Sequence, residues 1–373
     1  MSNPALRVLQ VAAPARSGGL ETVLAQLSSS LRRRGHEVQV ALVLTPGTET
    51  GHPLVAVLEQ AGVPVHVLTI GARQYLAERQ AVAQIAAAMH ANVVHTHGCR
   101  ADILHGGPAQ AAGHAHVMTL HGFVSGTWRD RLYEWLQLRA AARADAVVAV
   151  SAPIAERLHA AGMRRAVHLL RNAIAAPLAP LSRTEARTSL GLPLNVPLIG
   201  WVGRLSHEKG PDLFLDALEQ TAPELHAAIL GEGPMTESLR ERVRSGPLSD
   251  RVHFCGGVSG ANRYLTAFDA LALSSRTEGT PMILLEAMIS QVPIVTAMVG
   301  GVPDVLSASE AWCCPPGDQC AMAEGMQQVL SRPEEAIERA ERAAARVQRE
   351  FSLGAWLDRH EQIYRDAFGS RAR

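Results

Sequence analysis

Apolar runs of strand length alternate with helical stretches along almost the whole of this 373-residue chain. Such alternation calls for parallel strands covered on both faces, because the crossover that returns a chain to a parallel neighbour is long enough to hold a helix. The pattern predicts strands near Leu6 to Ala12, Glu37 to Leu44, Pro64 to Leu68, Val93 to Thr96, His116 to Leu120, Ala146 to Val150 and Val167 to Leu170. The first helix carries its apolar stripe at Leu20, Val23, Leu24, Leu27 and Leu31, loads its carboxyl end with Arg32 to Arg34, and meets a stop at Gly35.

The segment Ala173 to Pro180 is poor in charge, rich in proline and suited to neither element, so it reads as a linker. Beyond it the alternation restarts, with strands near Pro197 to Val202, His226 to Leu230, Val252 to Cys255, Asp269 to Ser274, Pro293 to Ala297 and Ala311 to Cys314. From Pro333 the pattern is helical only. The expected architecture is α/β: two doubly wound Rossmann-like domains, residues 1–175 and 176–350, facing a cleft, with a terminal helix over 351–373 that packs back on the first domain.

Composition narrows the class. Hydrophobic residues make up 47% and charged residues 19%, with no apolar run of about 18 residues, which favours a globular enzyme over a membrane-spanning or disordered chain. Met1 leads almost directly into an apolar strand, so no secretory signal is read. The five cysteines, Cys99, Cys255, Cys313, Cys314 and Cys320, lack metal-ligand spacing. A cytoplasmic location is expected. Residues 1–175 hold 16 of the 35 basic residues but only 10 of the 35 acidic ones, so the first half carries a cationic excess of six. An anionic substrate or the inner face of an acidic membrane would suit that excess; so would a solvated surface in an arginine-rich chain.

Of those 35 basic residues only Lys209 is a lysine. Where arginine serves wherever a cation is needed, a surviving lysine marks a place that wants a compact ammonium instead of a planar fork. Lys209 and Arg204 lie between the strand Pro197 to Val202 and a helix opening at Pro211, on the loop leaving the carboxyl end of a strand, where open α/β sheets bind ligands. A second constellation runs from Ser275 through Glu278 and Gly279 to Glu286. Thr280 and Pro281 read as the cap and first residue of a helix, which puts Glu278 before it and Glu286 in its second turn. Free amides at that helix start suit a phosphate, and the two carboxylates suit sugar hydroxyls.

With Pro293-Ile294-Val295 and Gly300-Gly301-Val302-Pro303-Asp304 following Glu286, this constellation resembles the carboxyl-terminal signature of retaining glycosyltransferases of family 4, which have the GT-B fold. Gly18-Gly19, Thr119-Leu120-His121-Gly122, Asp145 to Ser151, Arg171-Asn172 and Gly231-Glu232-Gly233-Pro234 fall in the family's order, so the resemblance covers nearly the whole chain. It implies transfer of a sugar from a nucleotide-diphosphate donor to an acceptor hydroxyl, in polysaccharide, glycolipid or other glycoconjugate synthesis. It implies that Arg204 and Lys209 hold the diphosphate in place of a metal, that Glu286 accepts from the ribose and that Glu278 contacts the transferred sugar. Backbone amides around Gly279, Thr280, Pro281, Met282 and Ile283 complete the donor site, Gly18 and Gly19 allow close approach to the diphosphate, and His121 lies near the anomeric carbon. No cofactor, metal or nucleic acid is implied. Two departures bear on sugar preference: Ala173 stands where the family commonly has glycine, and Gly279-Thr280-Pro281 replaces a frequent aromatic-containing version.

Other readings stay open at this point. A nucleotide-sugar 2-epimerase would need no acceptor, and a silent nucleotide-sugar-binding module would release nothing. His95 and His97, two of seven histidines between His90 and His121, suggest a metal hydrolase on spacing alone, but no matching carboxylate set accompanies them. Gly18-Gly19 lacks the full Gly-x-Gly-x-x-Gly pattern of a dinucleotide site. The stretch with Trp128, Leu132, Tyr133, Trp135 and Leu136 among Arg129, Arg131 and Arg139 reads either as a helix that packs its aromatics into the first domain, the favoured reading, or as one that touches a membrane interface.

Overall fold

The computed structural model describes residues 4–15, 18–47, 51–71, 73–123, 128–163, 167–175 and 180–371. The chain divides into two compact units, Met1–Asn172 with Leu353–Arg373, and Ala173–Ser352. The middle of the expected linker, residues 176–179, lies outside the described residues.

The first unit is a seven-stranded sheet of β1 (Arg7–Ala12), β2 (Glu37–Leu44), β3 (Val65–Thr69), β4 (Val93–His97), β5 (Ala115–Leu120), β6 (Ala146–Ala149) and β7 (Val167–Leu169), in the order β3-β2-β1-β4-β5-β6-β7. Every pairing is parallel. β5 is buried along its whole length, as a strand covered on both faces must be. The helix Gly19–Arg33 ends where the sequence predicts: Gly35, at φ +88°, sends its N–H to Arg32 O at 2.9 Å while His36 N reaches Leu31 O at 3.2 Å. That pair of bonds is a Schellman motif, which needs a residue that tolerates positive φ.

The terminal helix Leu353–Arg371 belongs to this unit. It buries Trp356, Leu357, His360, Ile363, Tyr364 and Ala367, a stripe at helical spacing, and Arg371 Nε donates to Asp145 Oδ2 at 2.7 Å.

The second unit is a six-stranded parallel sheet of β8 (Leu198–Val202), β9 (His226–Leu230), β10 (Val252–Gly256), β11 (Ala270–Leu273), β12 (Ile294–Ala297) and β13 (Trp312–Cys314), in the order β10-β9-β8-β11-β12-β13. The chain travels outward from β8 through β9 to β10, then returns to the other side of β8 to lay down β11. The strand order therefore reverses between β8 and β11, and the loops leaving those two strands part there. In the first unit the same reversal falls between β1 and β4. Such switch points are where doubly wound sheets leave room for a ligand. No helix among the described residues is long and apolar enough to cross a membrane.

Candidate functional site

At the β8/β11 switch point the structure brings together residues that lie far apart in sequence. Lys209 closes a 3-10 turn, His207–Lys209, on the loop after β8, and Glu278 lies on the loop after β11. The Lys209 ammonium donates to both Glu278 carboxylate oxygens, at 2.7 and 2.8 Å, and Ser275 Oγ donates to Oε1 at 2.6 Å. The Glu278 side chain is only 5% exposed and that of Lys209 31%. An ammonium has three N–H donors, so one remains on Lys209 for a further acceptor.

Two glycines make this closeness possible. Gly210 has φ +62°, and a Cβ there would stand 2.2 Å from Ser274 O; Gly300 has φ +51°, and a Cβ there would stand 2.1 Å from Glu278 O. Any other side chain would push the loops apart. Arg276 locks them further: its guanidinium donates to both Asp212 carboxylate oxygens at 2.8 and 2.6 Å and to His207 O at 2.8 Å. These hydrogen bonds hold the Asp212 carboxyl below the usual carboxylate range. Arg204, by contrast, pairs with Glu208 on its own loop.

The helix that carries Glu286 begins one residue later than expected. It spans Met282–Ile289 with Pro281 as its cap, at φ −72° and ψ 107°, and no side chain caps it. Proline fixes φ but leaves ψ free, and here ψ is extended, so Pro281 stands before the first turn instead of in it. Glu286 remains in the second turn, and burial pushes its carboxyl up to about 7. The cause is removal from water, so at neutral pH this group sits between its charged and neutral forms.

In the first unit His121 follows β5 and anchors a chain of hydrogen bonds. His121 Nε2 lies 3.1 Å from His97 Nδ1, His97 Nε2 lies 2.7 Å from Gln10 Oε1, and Gln10 Nε2 lies 3.3 Å from Tyr364 Oη. Tyr364 Oη lies 2.7 Å from His95 Nδ1, and His95 Nε2 lies 2.8 Å from Thr119 Oγ1. Burial holds His95 and His97 well below the usual histidine range and brings His121 down to about 4, so all three are neutral and each has one donor and one acceptor. With the Gln10 amide nitrogen turned to Tyr364, the directions from Gln10 to His121 follow. His97 donates to Gln10, His121 donates to His97, and His121 Nδ1 is left as a lone pair. Among the described residues no group of three or more His, Cys, Asp or Glu is placed to hold a metal ion.

Tyr364→Phe is expected to remove this directionality, because Gln10 Nε2 loses its acceptor and the amide becomes free to turn over. Nitrogen NMR of ring-labelled protein checks it. His121 in the unaltered chain should be protonated at Nε2, and in the variant both tautomers should appear.

Gly18 caps the helix Gly19–Arg33 in an extended conformation, φ 168°, that any residue adopts, so its backbone alone does not call for glycine. Residues 16 and 17 beside it lie outside the described residues. A cavity of about 270 Å³ opens nearby at the carboxyl ends of β1, β2 and β3, its walls including Ala13, Leu44, His52, Ile70 and Arg100.

Two family models divide the chain between them. The glycosyl transferase 4-like domain matches residues 18–173, and glycosyl transferases group 1 matches residues 182–347. The chain belongs to the glycosyl transferases group 1 family. The 2-deoxystreptamine N-acetyl-D-glucosaminyltransferase of Streptomyces fradiae is 36% identical to this family member over 154 residues, 38% of this chain and 37% of that enzyme. This match thus spans little more than a third of that enzyme's length. A glycogen synthase of Mycobacterium tuberculosis is 27% identical over 96% of this chain and 94% of its own. The crystal structure of Anabaena Alr3699/HepE in complex with UDP and glucose superposes with a TM-score of 0.84 at 22% identity, covering 96% of this chain and 98% of that one. At that identity the likeness carries the fold, which is GT-B.

Within this group 1 member, the sequence reading opened its second constellation at Ser275 but gave neither Ser275 nor Arg276 a role; the structure gives Ser275 a hydrogen bond to Glu278 and Arg276 its contacts to Asp212 and His207.

Proposed function

We propose that the chain transfers a sugar from a nucleotide-diphosphate donor to an acceptor hydroxyl with retention at the anomeric carbon. The observation that carries this reading is the Lys209, Glu278 and Ser275 cluster at the β8/β11 switch point, with the half-buried Glu286 in the following helix. The third N–H of Lys209, joined by Arg204, meets the diphosphate. Glu286 accepts from the ribose, Glu278 from the transferred sugar, and the amides from Gly279 to Ile283 complete the donor site. Gly18 and Gly19 are assigned to close approach at the diphosphate and His121 to the sugar. In the step itself the bond from the anomeric carbon to the phosphate oxygen breaks. A bond to the acceptor oxygen forms on the same face, and the acceptor proton passes to the leaving phosphate, whose developing charge the two cations stabilise.

The structural neighbour that holds UDP and glucose supports a sugar nucleotide as donor, and UDP sugars are the first to try. The test is release of nucleotide diphosphate across a panel of UDP, GDP and ADP sugars with and without acceptor glycans, and NMR of the product's anomeric centre. Release that needs an acceptor and yields the donor's own anomeric configuration supports the reading. Inversion overturns retention, acceptor-free isomerisation assigns an epimerase, and binding without release assigns a silent module.

Transfer is proposed to be metal-independent, because Lys209 and Arg204 supply the positive charge at the donor loop. Exhaustive chelation is expected to leave the rate unchanged. A loss that only added Mg²⁺ or Mn²⁺ restores would overturn this.

A further inference from the structure

The helix Trp128–Ala141 is anchored on one side only. On that side Gln137 Nε2 donates to the buried Asp102 carboxylate at 2.7 Å, Leu138 packs on the cluster of Met118, Leu120 and Val147, and Glu134 is paired with Arg157. Among the described residues the other side is exposed. Trp128 is 71% exposed, and Leu132, Tyr133 and Trp135 are exposed as well. This corrects the expectation that the aromatics pack into the first unit: the helix offers its inward face through Gln137, Leu138 and Ala141, and the positions four and seven residues beyond Trp128 point away.

Arginines interleave with these rings. The Arg129 guanidinium lies 5.4 Å from the Trp128 ring centre and that of Arg139 4.4 Å from the Trp135 ring centre. The patch continues onto a neighbouring helix, where Tyr75 and Leu76 are exposed. Arg100 lies 5.3 Å from the Tyr75 ring centre, and its neighbour Cys99 donates from Sγ to Tyr133 O at 3.7 Å.

We propose that this face docks the chain on an anionic phospholipid bilayer. Trp and Tyr rings beside arginine heads suit the boundary between acyl chains and phosphates, where the ring leaves water and the guanidinium meets lipid phosphate. The charge selects this occupant. Arg129, Arg131 and Arg139 on the helix carrying the exposed rings outnumber Asp130 and Glu134, Glu134 is paired with Arg157, and the first unit's cationic excess has the same sign. Large exposed aromatics with no partner are otherwise a liability in water. Arg100 also lines the cavity described above, so the docked face adjoins a pocket of the first unit. The docking itself is independent of the transfer reading.

The experiment uses the full chain with vesicles of phosphatidylcholine alone or with about a third phosphatidylglycerol. Cosedimentation is expected with the anionic vesicles only and should fall steeply between low and physiological salt. Trp201, Trp312 and Trp356 are buried, so tryptophan emission and its quenching by brominated lipid report on Trp128 and Trp135. A blue shift with quenching is the expected result. Replacing Arg129, Arg131 and Arg139 together by Gln should weaken vesicle binding about a hundredfold. Replacing Trp128, Leu132 and Trp135 by Ser should abolish the blue shift while leaving the melting temperature and nucleotide binding unchanged. No binding at low salt overturns the proposal, and so does vesicle binding without a change in emission. Equal binding to both vesicle types overturns the charge argument. A solution dimer that the serine variant dissolves, without vesicle binding, would give the face to a second copy of the chain instead.

Discussion

Lys209→Ala is expected to lower kcat/KM by a hundredfold or more and to destabilise the second unit at the same time. The two effects have different causes. On the proposed reading the ammonium faces the charge that develops on the leaving diphosphate, and losing one oriented charge there costs on the order of 3 kcal/mol, about a hundredfold in rate. The structural effect arises because Glu278, only 5% exposed, loses the ammonium that donates to both of its oxygens. Leaving a buried charge unpaired costs about 3 kcal/mol, or roughly 8 °C in melting temperature for a unit of this size. Adding Glu278→Gln to Lys209→Ala removes that orphaned charge, so the double variant should regain the melting temperature but not the turnover. Calorimetry beside steady-state kinetics on the single and double variants reads both. If Lys209→Ala melts normally, the ion pair contributes nothing to stability; if it turns over normally, the diphosphate is held elsewhere. Lys209→Arg tests whether the compact head matters. Its planar fork should misfit the space between the two loops, and turnover is expected to fall nearly as far as in the alanine variant.

Glu286→Gln is expected to weaken nucleotide binding while stabilising the protein at alkaline pH. Burial raises the carboxyl to about 7 from an ordinary value of 4.5, so the folded state binds a proton more tightly than the unfolded one. The resulting stabilisation is fully present below about 4.5 and is lost as pH rises through 7. At pH 8 the folded protein therefore carries a partly desolvated carboxylate that costs up to about 3 kcal/mol relative to its neutral form. A neutral amide avoids that cost, so the variant should melt higher than the unaltered chain at pH 8 and equally at pH 4.5. On the proposed reading the ribose hydroxyls are accepted by the ionised carboxylate, so the unaltered chain's affinity for nucleotide should fall up to tenfold per pH unit below 7. In the variant that pH dependence should vanish, with affinity low throughout. Glu278→Gln should behave oppositely, lowering turnover while the free nucleotide diphosphate binds nearly normally, because Glu278 is assigned to the reacting sugar. Titration calorimetry at pH 6, 7 and 8 separates the two glutamates. Loss of nucleotide binding in Glu278→Gln with retention in Glu286→Gln would reverse the assignment.

The terminal helix illustrates how far local pattern reaches. Its stripe of Trp356, His360, Ile363, Tyr364 and Ala367 is legible as helical periodicity, and so is the Schellman stop of Gly35. That Tyr364 completes a hydrogen-bond chain to His121 is not legible, since the partners Gln10 and His95 lie 354 and 269 residues away. Pro281 shows the local limit as well: its ring sets φ, but the ψ that moved the helix start to Met282 is left to the surroundings.

By itself the sequence determined the two doubly wound sheets, the loops on which Lys209, Arg204 and Glu278 stand, the helix that carries Glu286, and the family to which the chain belongs. These rest on hydrophobic periodicity, turn chemistry and motif order, which are properties of neighbours along the chain. Only the tertiary structure decided that the single lysine sits on Glu278, 69 residues away, that the surroundings of Glu286 raise its carboxyl, and that the aromatic helix keeps Trp128 and Trp135 on its exposed side. Ion pairing and burial depend on which elements become neighbours in space, here β11 laid beside β8 and the helix Trp128–Ala141 turned inward by Gln137 and Leu138. The same residues at the same spacing would be compatible with either outcome until that packing exists.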